Sequence, residues 1–216
     1  MRSNDCWVSI FCLLLSSCAL TPDEQIRGTD REAFLPSVRV RSALGAVSKA
    51  EAEVGEQEWK VASEWEAGYE RVDGEFAHAS GATKYHSRLA HVAFAPRLEM
   101  ESTRLAAEGF AGLAYGDIDV TAPTNDSKQN DVGSYIGIGL RYRGLGVVEP
   151  YARVTNASSV EWSIGVVEVG FEAKPAEFLG IEVAYASQTS RIETENSDGG
   201  ARIETDGLRI GMVLRF

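Results

Sequence analysis

The last ten residues, Gly207 to Phe216, alternate with period two. Leu208, Ile210, Met212, Leu214 and Phe216 fall on one side, and Arg209, Gly211, Val213 and Arg215 on the other. Successive side chains of a strand point to opposite faces. This strand therefore has one wholly apolar face that runs to the terminal residue, and one mixed face. Whatever the chain folds into must put the apolar row out of water and the arginines where charge is tolerated.

The same pattern recurs upstream. Leu179, Ile181, Val183 and Tyr185 alternate with Gly180, Glu182, Ala184 and Ala186. Ile136, Ile138, Leu140 and Tyr142 alternate with Gly137, Gly139, Arg141 and Arg143. Trp59, Val61, Trp65, Ala67 and Tyr69 alternate with Glu58, Lys60, Glu64, Glu66 and Glu70. No long helical periodicity competes. Gly144-Leu145-Gly146 and Lys174-Pro175-Ala176 read as short connections, and 73–85, 121–133 and 194–200 as longer polar loops. Counting back from the C-terminus predicts eight antiparallel strands near 58–72, 86–100, 104–120, 134–143, 147–156, 160–173, 178–192 and 202–216. Val38 to Val54 also alternates and has no place in that count. Asp73-Gly74 is a tight-turn signal. If it turns the chain, 75–83 adds a strand and the total is ten.

Alternation alone does not separate a soluble barrel, apolar inside, from a membrane barrel, apolar outside. Three features favour the membrane form. The apolar row reaches the final residue, whereas soluble chains commonly end in a polar tail. The mixed face sets Gly and Ala among Arg and Glu, as a narrow interior with room for few long side chains requires. Tyr142, Tyr185 and Phe216 lie near strand ends, where aromatic girdles form. Leu208 to Phe216 is nine residues, within the ~9–11 that a tilted strand needs to cross a bilayer. Up-and-down topology with eight strands, or with ten, brings both ends of the barrel to one side.

The N-terminus reads as an export signal. Arg2 precedes an apolar core, Trp7 to Leu15, and the small residues Ser16-Ser17-Cys18-Ala19. Leu15-Ser16-Ser17-Cys18 resembles a bacterial lipobox, which implies lipidation at Cys18. An ordinary signal cut near Ala19 or Leu20 is the alternative. The organisation expected is a signal over 1–18, a tether and unplaced segment over 19–56, and a barrel over 57–216. The row ending in Phe216, with Leu208, Ile210, Met212 and Leu214 before it, resembles the C-terminal signature of bacterial outer-membrane β-barrel proteins. That resemblance implies an outer-membrane location, contact with outer-membrane lipid, and recognition by the barrel-assembly machinery.

Chemistry is constrained mainly by exclusion. A formal net charge of -11 is opposite to the basic face that nucleic-acid binding needs. All three cysteines, Cys6, Cys12 and Cys18, precede the body of the chain, so no thiol nucleophile or Cys-based metal site lies downstream. No phosphate-loop or calcium-loop spacing occurs, and no cofactor is expected. His86 and Ser87 invite comparison with a Ser/His lipid hydrolase, but neighbours in a strand face opposite ways. His86 and His91 are five apart and do not share a face for zinc, and His78 has no motif around it. The interior is expected to carry Glu64, Glu66, Glu108, Arg141, Glu149, Arg153, Glu182 and Arg209 as a salt-bridge network, because unpaired buried charge costs several kcal/mol. The expected role is structural or surface-interacting and non-catalytic. A narrow pore is the first alternative and a lipid-modifying enzyme the second. The identity of an extracellular partner is not encoded in any motif.

Overall fold

The structure is a computed structural model that describes residues 25–26, 35–42, 51–54, 57–78, 81–100, 102–121, 126–192 and 201–215. Cys6, Cys12, Cys18, Phe216 and the loop expected over 194–200 lie outside the described residues, and with them the expected export signal, the expected lipidation site and the terminal aromatic.

Eight long antiparallel strands follow one another up and down in a single curled sheet. They are β4 (Gln57–His78), β5 (Gly81–Met100), β6 (Leu105–Thr121), β7 (Asp126–Tyr142), β8 (Val148–Ser158), β9 (Trp162–Ala176), β10 (Leu179–Ile192) and β11 (Ala201–Arg215). The described residues contain no helix. Asp73-Gly74 is not a turn. It lies within β4, where Asp73 pairs with His86 and Gly74 with Tyr85. The ten-strand alternative therefore fails: a continuous ladder satisfies these backbone groups better than a turn would. For the same reason the expected loops 73–85 and 121–133 are largely strand, since β4 and β5 run on to His78 and Gly81, and β7 begins at Asp126. β4 has 22 residues, about twice the ~9–11 needed for one bilayer crossing.

The segment that the eight-strand count left over has a place. β2 (Leu35–Ser42) pairs antiparallel with β4 and parallel with β11, and so bridges the first and last long strands. β1 (Gln25–Ile26) pairs parallel with β11, and β3 (Glu51–Val54) pairs with β4. β2 thus covers hydrogen-bonding edges that an open sheet would leave bare.

The two faces of the sheet differ in chemistry. One row of directly opposed residues runs Leu208, Tyr185, Val169, Ala152, Leu140, Ala107, Leu98, Val61. It faces outward and holds no charge. The next row runs Arg209, Ala184, Gly170, Tyr151, Arg141, Ala106, Glu99, Lys60. It belongs to the inner face and sets long polar side chains among small ones, as filling a narrow interior demands. On the outer face Leu113, Val169 and Tyr185 are each 60% exposed or more, whereas Glu66, Glu172 and Glu182 inside are at 0%. At the connection after β7, Gly146 takes a left-handed φ of 71° that favours glycine.

The bridging role of β2 predicts a cross-link. With the native cysteines changed to serine, Val38→Cys with Met212→Cys should form a disulfide on mild oxidation, because the two are register partners and strands lie about 4.8 Å apart. Peptide mapping reads the product. If the Tyr185→Cys/Leu208→Cys pair on β10 and β11 closes and the β2 pair does not, β2 is not seated there.

Candidate functional site

The interior of the curled sheet has two storeys. Towards the short connections at 102–104, 143–147 and 177–178, it is charged. Three buried guanidiniums organise it. Arg209 donates to Glu168 Oε2 at 2.7 Å through Nη1, and to Glu70 through both Nη1 (Oε1, 3.2 Å) and Nη2 (Oε2, 2.7 Å). Glu70 is on β4, Glu168 on β9 and Arg209 on β11, so this one side chain ties three strands, including both ends of the eight-strand run. Arg141 donates to Glu108 at 3.2 Å, Glu149 at 3.3 Å and Glu172 at 2.6 Å. Arg153 donates to Glu66 at 3.3 Å and lies 3.6 Å from Glu168. Its guanidinium also sits over the Phe110 ring at 4.5 Å, a favourable cation–π placement.

The expected interior charges fall on this face. Glu66, Glu108, Arg141, Glu149, Arg153, Glu182 and Arg209 are buried. Glu64 is part-buried and accepts from Arg97 at 2.8 Å. Glu70, Glu168 and Glu172 were not singled out, although each sits at an alternate position of a strand whose opposite face is apolar. Among the described residues, seven buried glutamates and three buried arginines share this face. The part-buried cations Arg97, Arg143 and Lys174 also pair with Glu64, Glu99 and Glu149.

The other storey, towards the β4–β5 hairpin, is mostly apolar. Ile118, Ile164, Ile192 and Ile203 are buried around Trp162. A Cβ on Gly116 would stand 2.5 Å from the Trp162 ring, so the bare backbone of β6 makes room for an indole that crosses from β9. Three polar side chains here bond to one another. Tyr85 and Ser190 share a 2.7 Å hydrogen bond, and Gln188 donates to both at 3.2 Å. Between the storeys His91 stacks on Tyr135 with ring centroids 4.1 Å apart, and its Nε2 lies 3.4 Å from Glu66.

His86 and Ser87 do not come together. His86 faces outward against Asp73 at 2.7 Å, while Ser87 is buried inside and accepts from Gln188 at 3.5 Å. His91 sits against a carboxylate and a tyrosine, without a serine in that set. The side chain of His78 lies outside the described residues. Among the described residues no group of three or more His, Cys, Asp or Glu side chains is placed to hold a metal ion.

Outside, above the apolar rows, a polar cleft of about 150 Å³ is lined by Arg71, His86, Arg88, Asp117, Asp119 and Lys128. Burial pulls the Asp73 carboxyl upward, but hydrogen bonds from His86 and Arg71 outweigh it and hold the group below its ordinary range. The stability this contributes is present above the usual carboxylate pKa and is lost as pH falls through the lower folded value. No protein-family model, no curated protein and no solved structure matches this chain.

The three-strand role of Arg209 generates a prediction. Arg209→Met leaves two buried carboxylates without their shared cation, which costs about 3–5 kcal/mol. The triple change Arg209→Met, Glu70→Gln, Glu168→Gln should recover much of that loss, because the two carboxylates that Arg209 neutralised no longer carry charge. The melting temperatures of the purified proteins in detergent measure both. Equal losses in the single and triple variants would deny the network its role.

Proposed function

We propose that this chain is a small outer-membrane β-barrel with a closed interior, acting as a structural or surface-interaction protein of the bacterial envelope and not as a catalyst. One observation carries the reading: the distribution of polarity across the sheet is inverted. Charges fill the concave side, and exposed apolar side chains cover the convex side below a charged rim towards the hairpins. In water the convex face would expose apolar side chains over most of the sheet, far beyond the few hundred Å² that monomeric soluble proteins tolerate. In a bilayer the same face is solvated by lipid, and the backbone is satisfied strand to strand. The terminal signature at Leu208, Ile210, Met212, Leu214 and Phe216 and the lipobox-like Cys18 support export and assembly in that membrane.

A packed interior supports this role over the narrow pore. Arginine–glutamate clusters in one storey and Trp162 with its isoleucines in the other occupy the volume that a solute would need. The lipid-modifying enzyme draws less support still, since His86, His91 and Ser87 do not converge.

Two measurements on the full-length protein test the reading. After expression and fractionation the protein should sediment with outer membranes and change its gel mobility on boiling. Recovery in the soluble periplasm with no mobility change would end the membrane assignment. Purified protein inserted in planar bilayers should produce no steady unitary conductance in 1 M KCl. Reproducible channels that survive repurification would favour the pore over the closed barrel.

A further inference from the structure

Eight up-and-down strands put the start of β4 and the end of β11 at the same end of the sheet, beside the short connections at 102–104, 143–147 and 177–178. The N-terminal strands change that arithmetic. Both of those that meet β11 run parallel to it. Gln25 opposes Arg202, the second residue of β11, and Arg41 opposes Arg215, its last. These two contacts stand at opposite ends of β11. Between Gln25 and Arg41 the chain therefore passes along the whole of the last strand, from the end where the β10–β11 connection lies to the end where β11 finishes.

The contacts with β4 agree on the direction. β2 runs antiparallel to β4, from Ser37 against Glu70 to Ser42 against Trp65. β3 meets the same edge further down, from Glu51 against Lys60 to Val54 against Gln57. Val54 and Gln57 are separated only by Gly55 and Glu56, so the chain turns there into β4. The path from Gln25 to that turn is one descent, and it adds a single crossing to the eight. An even number of crossings returns both ends of a chain to one side. An odd number separates them.

We propose that the N-terminal chain crosses the outer membrane beside β11, so that the chain before Gln25 is displayed on the cell surface while the β3–β4 turn and the end of β11 face the periplasm. The proposal rests on the membrane reading above and adds to it the sidedness of the N-terminal end. The hydrogen-bond ladder supplies the physical case. β4 and β11 are the edges of the eight-strand run, and an open edge is not tolerated in hydrocarbon. β2 gives both edges a partner at once. It runs parallel to β11 only with its first residue towards the hairpin end. A strand entering from the periplasmic end would pair antiparallel with β11, against the observed register. The outer end thus carries the acidic Asp23-Glu24 as well as the hairpins, and the surface-interaction role gains an element to act through.

Thiol labelling of cells expressing the full-length protein tests this, with a membrane-impermeant maleimide applied before and after permeabilising the outer membrane. Val160→Cys in the β8–β9 connection and Leu145→Cys in the β7–β8 connection mark the two ends, and both residues are exposed. Wild type, which keeps its native cysteines, gives the background. Val160→Cys should label in intact cells and Leu145→Cys only after permeabilisation. Glu24→Cys should then follow Val160→Cys, and Glu56→Cys should follow Leu145→Cys. An epitope inserted between Asp23 and Glu24 should bind antibody on intact cells, which covers the case of a thiol shielded at position 24. Labelling of Glu24→Cys and antibody binding that both await permeabilisation, as at Leu145→Cys, would overturn the proposal. Equal labelling of Val160→Cys and Leu145→Cys would instead fail the membrane reading beneath it. Heat-modifiable migration checks that each variant is folded.

Discussion

Arg209 shows the constraint on which the rest of the structure depends. A guanidinium placed inside a narrow curled sheet has to find carboxylates there, and they come from strands that are not its neighbours. Glu70 and Glu168 reach it from β4 and β9. Arg153 on β8 reaches Glu66 on β4 in the same way, while Arg141 on β7 gathers Glu108 and Glu149 from the strands beside it and Glu172 from β9. The contacts of Arg209 and Arg153 with β4 span the interior and require the sheet to curl. Once the charged face is turned inward, the apolar face has no choice but to look out, and that orientation is what the proposed membrane role rests on.

Packing in the second storey works to the same end by different means. Glycine at position 116 lets Trp162 press against bare backbone, and Gly68 does the same for His91. Residues that look dispensable within a strand set how far the opposite wall can approach. Long side chains beside glycine or alanine, as in the row from Arg209 to Lys60, fill a small cross-section without collision.

The period-two rows made the strands and their two faces legible, because alternation is a local property. The placement of Glu66, Arg141 and Arg209 on the inner face followed from the same rule. Pairing across the interior was not legible. Nothing near Arg209 in the sequence points to Glu70, 139 positions away, and Trp162 carries no mark that its partner is Gly116. Asp73-Gly74 carried the chemistry of a tight turn, yet the ladder between β4 and β5 runs through it, since continued pairing on both sides outweighs a two-residue preference. Leu35–Ser42 alternates like any strand, but only the edges of β4 and β11 give it somewhere to go.

The account turns on which face of β6 meets lipid. Cysteines substituted one at a time from Ala107 to Asp117, spin-labelled, and measured in reconstituted vesicles would report this directly. Oxygen accessibility should rise and fall with period two, high at 107, 109, 111, 113 and 115 and low at the positions between. Accessibility to a water-soluble nickel chelate should stay low throughout and climb only at Asp117. High nickel-chelate accessibility at 111 and 113, with no oxygen periodicity, would mean that this face meets water, and would contradict the membrane account at its centre.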